Sequence, residues 1–249
     1  MQNKSRMSGI YKNISDWHSF RLKVFAEGIG TGIFAGLVIC FFRWALHETE
    51  AWRASFFKNV LAQNPLYILG WFVALLGIAY VLDKLTKHEP LAAGSGIPQV
   101  KGAILGLIKM RWFSIMWVKL LAGVIGIGAG LSLGREGPSI QLGAVSAQGI
   151  SRFLGRTRME ERYLITSGAS AGLAAAFNAP LAGVMFALEE LHRSFSIVVL
   201  LPSMAAAFTA TVLSRLIFGR APIFNIPDLQ VLHTEDLAIV ILVAIVAGT

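Results

Sequence analysis

Gly134-Arg135-Glu136-Gly137-Pro138 puts a charged pair inside a stretch that otherwise reads as membrane. The apolar run 112–133 leads into it and the weakly polar run 139–150 leads out. A charge at the centre of a bilayer costs about 2.5–3.5 kcal/mol on insertion scales, and side chains that carry one usually face a pathway for ions or substrate. A second break has the same grammar. Gly94-Ser95-Gly96-Ile97-Pro98 opens an apolar segment, 97–108, that falls short of the ~20 helical residues needed to span the hydrocarbon core. Two breaks interrupted by Gly and Pro, each opening a short helix, point to a midplane site built from half-helix N-termini. The fold class that accommodates both is an all-α polytopic membrane protein whose broken helices meet near the membrane midplane.

Composition excludes an ordinary soluble domain, because only 14% of the residues are charged and 55% are hydrophobic, whereas soluble domains carry about 25% charged residues. The net charge of +8 does not point to nucleic acid. Its cations cluster at the ends of apolar runs, as the flanking residues of spanning helices do, and no stripe of basic and aromatic residues accompanies them. Cys40 lies within an apolar run, has no second cysteine to pair with, and reads as a packing residue.

Residues 1–23 form a polar, basic segment, and Lys4, Arg6, Lys12, Arg21 and Lys23 before the first span place it on the cytoplasmic side. Residues 24–249 then form the membrane domain. The first span, 24–46, is longer than a signal-peptide core and no small-residue cleavage pattern closes it. Its Gly28, Gly30, Gly32 and Gly36 predict close helix contacts, with Glu27 and Arg43 snorkelling at its ends. An amphipathic connector, 47–64, follows. Pro65 starts a helix over 66–82, which Asp83, Lys84, Lys87 and His88 close. Lys119 interrupts the apolar run 112–132, where pairing with a carboxylate or with carbonyls freed at a broken helix is favoured over a direct role in transport. Beyond a charged loop, 152–162, the helix 163–177 carries Gly168 and Gly172 as a packing face. Asn178-Ala179-Pro180 breaks it, helix resumes over 180–188, and a long apolar run covers 195–218. A Pro-containing loop, 220–236, leads to 237–249, which is shorter than a span.

A helix N-terminus presents unsatisfied amides and about half a positive charge, so it attracts anions without a full cation. Gly94, Gly96, Gly134 and Gly137 let backbone amides turn toward a ligand, and Ser95 adds a hydroxyl donor. Weak coordination from several such groups suits transport, since the ion must leave as readily as it enters. Glu136 among those amides can occupy the anion's own seat, and protonating it removes the competition. A metal enzyme is disfavoured. Glu189-x-x-His192 has the helical spacing of a di-iron ligand pair but no second pair accompanies it, and His18, His47, His88 and His233 are scattered. Without a phosphate-cradling G-x-x-x-x-G-K-[ST], no metal or cofactor is expected.

Taken together, GSGIP at 94–98, Lys119, GREGP at 134–138 and GASAGLAAAFNAPLAGVMFALEE at 168–190 resemble the amino-terminal half of the CLC chloride channels and chloride/proton antiporters. The resemblance covers nearly the whole chain. It implies a homodimer in the lipid bilayer, with one anion pathway per subunit, in the bacterial plasma membrane. Within Gly94, Ser95, Gly96, Ile97 and Pro98, Ser95 would coordinate the central anion. Within Gly134, Arg135, Gly137 and Pro138, the amides near Arg135 and Gly137 would hold the outer one. Glu136 would be the gating glutamate and outer proton acceptor, and Glu190 the inner proton-transfer acid. That acid favours chloride/proton exchange over a passive chloride channel, and serine at the central position favours chloride over nitrate. Family members contain two inverted repeats, of which this sequence resembles the first and the start of a second. The third filter stretch and an inner tyrosine are therefore expected to be missing. The alternative to antiport is a half-length chain that transports only when a second half complements it, and an incomplete gene product stands ahead of a separately made partner.

Overall fold

A computed structural model of the chain describes residues 2–61, 66–193, 195–219, 240, 243, 246 and 247. It divides into two compact units, Met1–Gly219 and Arg220–Thr249. Pro65, the loop 220–236 and most of the segment 237–249 lie outside the described residues. In the first unit the helices are α1 (Gln2–Phe56), α2 (Leu66–His88), α3 (Ile97–Leu105), α4 (Trp112–Gly128), α5 (Glu136–Phe153), α6 (Arg158–Phe177), α7 (Pro180–Phe186) and α8 (Ile197–Phe218). A π-helical turn, Phe57–Leu61, follows α1, and another, Ala187–His192, follows α7. No strand occurs among the described residues, so the fold is all-α. Among the described residues three stretches, Phe20–Asn59, Tyr67–His88 and Ile197–Phe218, are long and apolar enough to cross a membrane.

Several element boundaries differ from the sequence reading: α1 starts at Gln2 and α2 runs on through His88, and two further differences are held by specific contacts. The connector expected over 47–64 is helical through Phe56. Charges at Glu48, Glu50 and Arg53 end the hydropathy, but they are good helix formers and no Pro or Gly interrupts the ladder. Arg53 then donates through Nη1 to Ile127 O and Gly128 O, at 2.9 Å each, and closes the C-terminus of α4. Helix α6 begins at Arg158 rather than at Tyr163. Thr157 caps it, with its hydroxyl accepting from the Glu160 amide while Glu160 Oε2 accepts from the Thr157 amide.

Small residues set the packing, because lipid supplies no hydrophobic drive between helices and close backbone approach must replace it. Gly28, Gly32 and Gly36 of α1 lie against Pro202, Ala206 and Ala210 of α8, both sets at intervals of four, one helical face. A Cβ at Gly32 would come 2.8 Å from Ala206 Cα. Gly30 meets nothing within 4 Å, so of Gly28, Gly30, Gly32 and Gly36 it alone makes no such contact. Helices α5 and α6 cross where a Cβ on Gly168 would fall on the Gly143 carbonyl and one on Gly172 on the Ser139 carbonyl. This is the packing face expected of Gly168 and Gly172. Buried Leu142, Ala171, Ala175 and Ala206 join this crossing to Ile39 and Phe42 of α1 in one apolar cluster.

Candidate functional site

Both sequence breaks open helices at one cavity. Gly96 is the N-cap of α3, with φ 87° in the left-handed region that favours glycine. Arg135 is the N-cap of α5, so Glu136 is its first helical residue. The first amides to bond back into each helix are Val100, to Gly96 O at 3.0 Å, and Ser139, to Arg135 O at 3.1 Å. The amides before them are left for a ligand. A Cβ at Gly137 would fall on the Ser95 carbonyl, so only glycine permits the two breaks to approach as they do. Around this contact lies a cavity of about 480 Å³ lined by Gly94, Ser95, Gly134, Glu136, Gly137 and Pro138, with Lys119 and the apolar Ala122 and Ile127 on its wall.

Of the expected site residues, Gly96, Ile97, Pro98 and Arg135 are not part of that lining. They shape the helix starts behind it. Ser95 Oγ accepts weakly from the Ile97 amide, at 3.4 Å. The Glu136 carboxylate folds back against Gly134, and none of the hydrogen bonds or ion pairs among the described residues involves it. Glu190 stands apart, on the π-helical turn after α7, where Lys101 of α3 donates to its Oε1 at 2.7 Å. Lys101 holds the Glu190 carboxyl below the usual carboxylate range by this hydrogen bond and by its charge. This is an ion pair between partly exposed side chains. His192 contacts Thr166 Oγ1 through Nδ1, at 3.1 Å. The described residues include no group of three or more His, Cys, Asp or Glu side chains arranged to hold a metal.

Lys119 takes the carbonyl alternative. Buried on α4, its ammonium donates to Gly94 O at 2.6 Å and Ala92 O at 3.0 Å. It therefore turns the carbonyls of the first break toward itself and cancels the cost of leaving them unpaired in an apolar interior. Sequence reasoning missed Gln141. Its side chain is fully buried on α5, donates through Nε2 to Leu91 O at 2.7 Å, and packs on Gly96 where a Cβ would stand 2.7 Å from its own Cβ. The two helix starts are thus locked together by one glutamine and one glycine contact, while Lys119 ties the first break to α4. The signal that could have found Gln141 is an amide side chain inside a run of small and apolar residues.

The sequence model of the family described as voltage gated chloride channel matches residues 78–249. The chain is 34% identical over 223 residues to the H(+)/Cl(-) exchange transporter ClcA of Vibrio cholerae serotype O1 (strain ATCC 39541), covering 87% of this chain and 47% of that protein. Among solved structures it resembles a slow cyanobacterial Cl-/H+ antiporter, with TM-score 0.75, 32% identity and coverage of 90% of this chain and 53% of that one. It also resembles a CLC-type fluoride/proton antiporter, with TM-score 0.66, 26% identity and coverage of 91% and 55%. The chain spans about half the length of the curated relatives it matches.

Proposed function

The chain belongs to the voltage gated chloride channel family, and from that premise we propose that it supplies one half of a pathway that exchanges chloride for protons across a bacterial plasma membrane. The observation that carries this reading is the single cavity into which the starts of α3 and α5 both open. A chloride ion there meets amides from two first turns and the Ser95 hydroxyl, with Lys119 holding the break in shape from behind. Each helix start contributes about half a positive charge, and neither forms so tight an ion pair that the anion is trapped.

Glu136 is the gate in this reading. Its carboxylate competes with chloride for the amides, leaves on protonation, and so links an outward proton to the anion's turn in the site. Glu190 is the inner acid, taking protons from the cytoplasmic side where Lys101 keeps it ionised between transfers. Residues 1–23 lie on that side, residues 24–249 are the membrane domain, and the protein acts as a homodimer. Glu190 favours exchange over a passive channel, and the naming of relatives as H(+)/Cl(-) exchange transporters supports chloride as the anion.

The test is reconstitution into liposomes, with chloride efflux and proton uptake recorded together, for the chain alone and for the chain together with the second half of a full-length relative. Glu136→Gln is expected to abolish proton uptake while chloride efflux persists. Coupled proton uptake in that variant overturns the assignment of Glu136.

A further inference from the structure

A second cavity, of about 310 Å³, lies between the end of α3, the end of α5 and the start of α6. Four cations line it, Lys109, Arg152, Arg158 and Arg162, against the single carboxylate of Glu161. Arg152 is committed, with Nε 3.5 Å from Glu161 Oε1 and Nη2 donating to Met110 O at 3.1 Å. Arg162 lies over Gly106, whose positive φ of 78° and missing side chain make room for the guanidinium. Lys109 and Arg158 have no ion pair among the described residues. Charges gathered round a cavity with too few counter-charges raise its affinity for anions.

A second observation points to a ligand. Gln148 is 3% exposed and lines the cavity, and while its Nε2 donates to Glu161 Oε1 at 2.8 Å, its own Oε1 has no partner. A buried acceptor left unmade costs about 1–3 kcal/mol, so a ligand that brings a hydroxyl donor gains by filling it. Phosphate with a P–OH, or a phosphodiester carrying a glycerol, brings both the charge and the donor. Large apolar side chains adjoin the lining residues in sequence and project outward, Leu107 at 76% exposure and Phe153 at 92%. The cavity also sits at the end of the bundle where Lys23 of α1 pairs with Glu160 of α6. That is the cation-rich, cytoplasmic end.

We propose that this cavity binds a phosphate-bearing anion, the headgroup of an anionic phospholipid of the cytoplasmic leaflet. Basic pockets between helices on that side suit such headgroups, and the outward apolar side chains suit their acyl chains. The proposal does not depend on chloride transport, so failure of either can be told apart.

The experiment is native mass spectrometry of the detergent-solubilised chain titrated with dioleoylphosphatidylglycerol, dioleoylphosphatidylcholine, or inorganic phosphate. Wild-type protein is expected to hold one phosphatidylglycerol and no phosphatidylcholine at matched concentration. Each cation near an anionic surface is worth about fivefold in affinity, so Lys109→Gln with Arg158→Gln should weaken retention about 30-fold. Glu161→Gln, which keeps the hydrogen-bonding shape but removes the opposing charge, should tighten it about fivefold by the same reasoning. A merely structural cluster would not tighten, so this second variant decides the matter if the double variant fails to fold. Displacement of the lipid by millimolar inorganic phosphate, with the same dependence on Lys109 and Arg158, assigns the site to free phosphate while keeping the recognised group. Equal retention of both lipids, or unchanged affinity in a folded double variant, overturns the proposal.

Discussion

In the exchange proposed above, Lys101 sets the pH at which Glu190 carries a proton. Its hydrogen bond and charge lower the carboxyl's pKa, so removing them raises it and lets the proton be held at higher pH. In the liposome assay, with the second half supplied, Lys101→Gln is therefore expected to move the alkaline limb of the proton-uptake profile to higher pH and leave chloride affinity unchanged. An unmoved limb would mean that the pair is a structural contact. The place of single residues was legible in the sequence where glycine or a misplaced charge forced it, as at Gly96 and Gly137 and in the position of Glu136 on the cavity wall. Partners were not. That Lys119 would find carbonyls and not a carboxylate, and that Glu190 would find Lys101, depends on residues 25 to 89 positions apart brought together by packing that no local pattern encodes.

At the scale of elements, α1 and α8 are joined by a ridge of small residues, and the geometry ranks its glycines. A Cβ at Gly32 would stand 2.5 Å from the Ala206 carbonyl oxygen, which is backbone and cannot move aside, whereas Gly30 faces open space. Gly32→Leu should destabilise the helix pair by about 1–3 kcal/mol, the usual cost of overpacking. Gly30→Ala should be neutral or stabilising by up to about 1 kcal/mol, from helix propensity alone. Thermal unfolding in detergent separates the two, and equal effects would refute the assigned face. Period-four spacing of small residues made this interface readable from the sequence, all but Gly30. Boundaries were less readable. Hydropathy fades at His47, but the hydrogen-bond ladder of α1 persists to Phe56 because nothing in between breaks it.

Across the whole molecule, the first helix is tied to the later bundle at its cation-rich end. Lys23 pairs with Glu160 at 3.2 Å across 137 positions, and beside them Glu27 pairs with Arg156. Burial raises the Glu160 pKa, but the hydrogen bonds from Thr157 and Lys23, with the Lys23 charge, outweigh it and hold the carboxyl below its ordinary value of 4.5. A depressed folded-state pKa means that the stabilisation is fully present above the unfolded value and is lost as pH falls through the folded one. Lys23 is 43% exposed, so the pair is worth no more than about 1 kcal/mol. Glu160→Gln keeps the cap on α6, because glutamine serves in that motif too, and removes only the charge. The wild-type chain should therefore unfold at a slightly higher temperature than Glu160→Gln at pH 7, and the two should converge as pH falls from 4.5 through the lowered folded-state pKa, with the Lys23→Gln variant tracking Glu160→Gln throughout. A gap that persists unchanged to pH 3 would place the effect in the cap and not in the tie between α1 and α6.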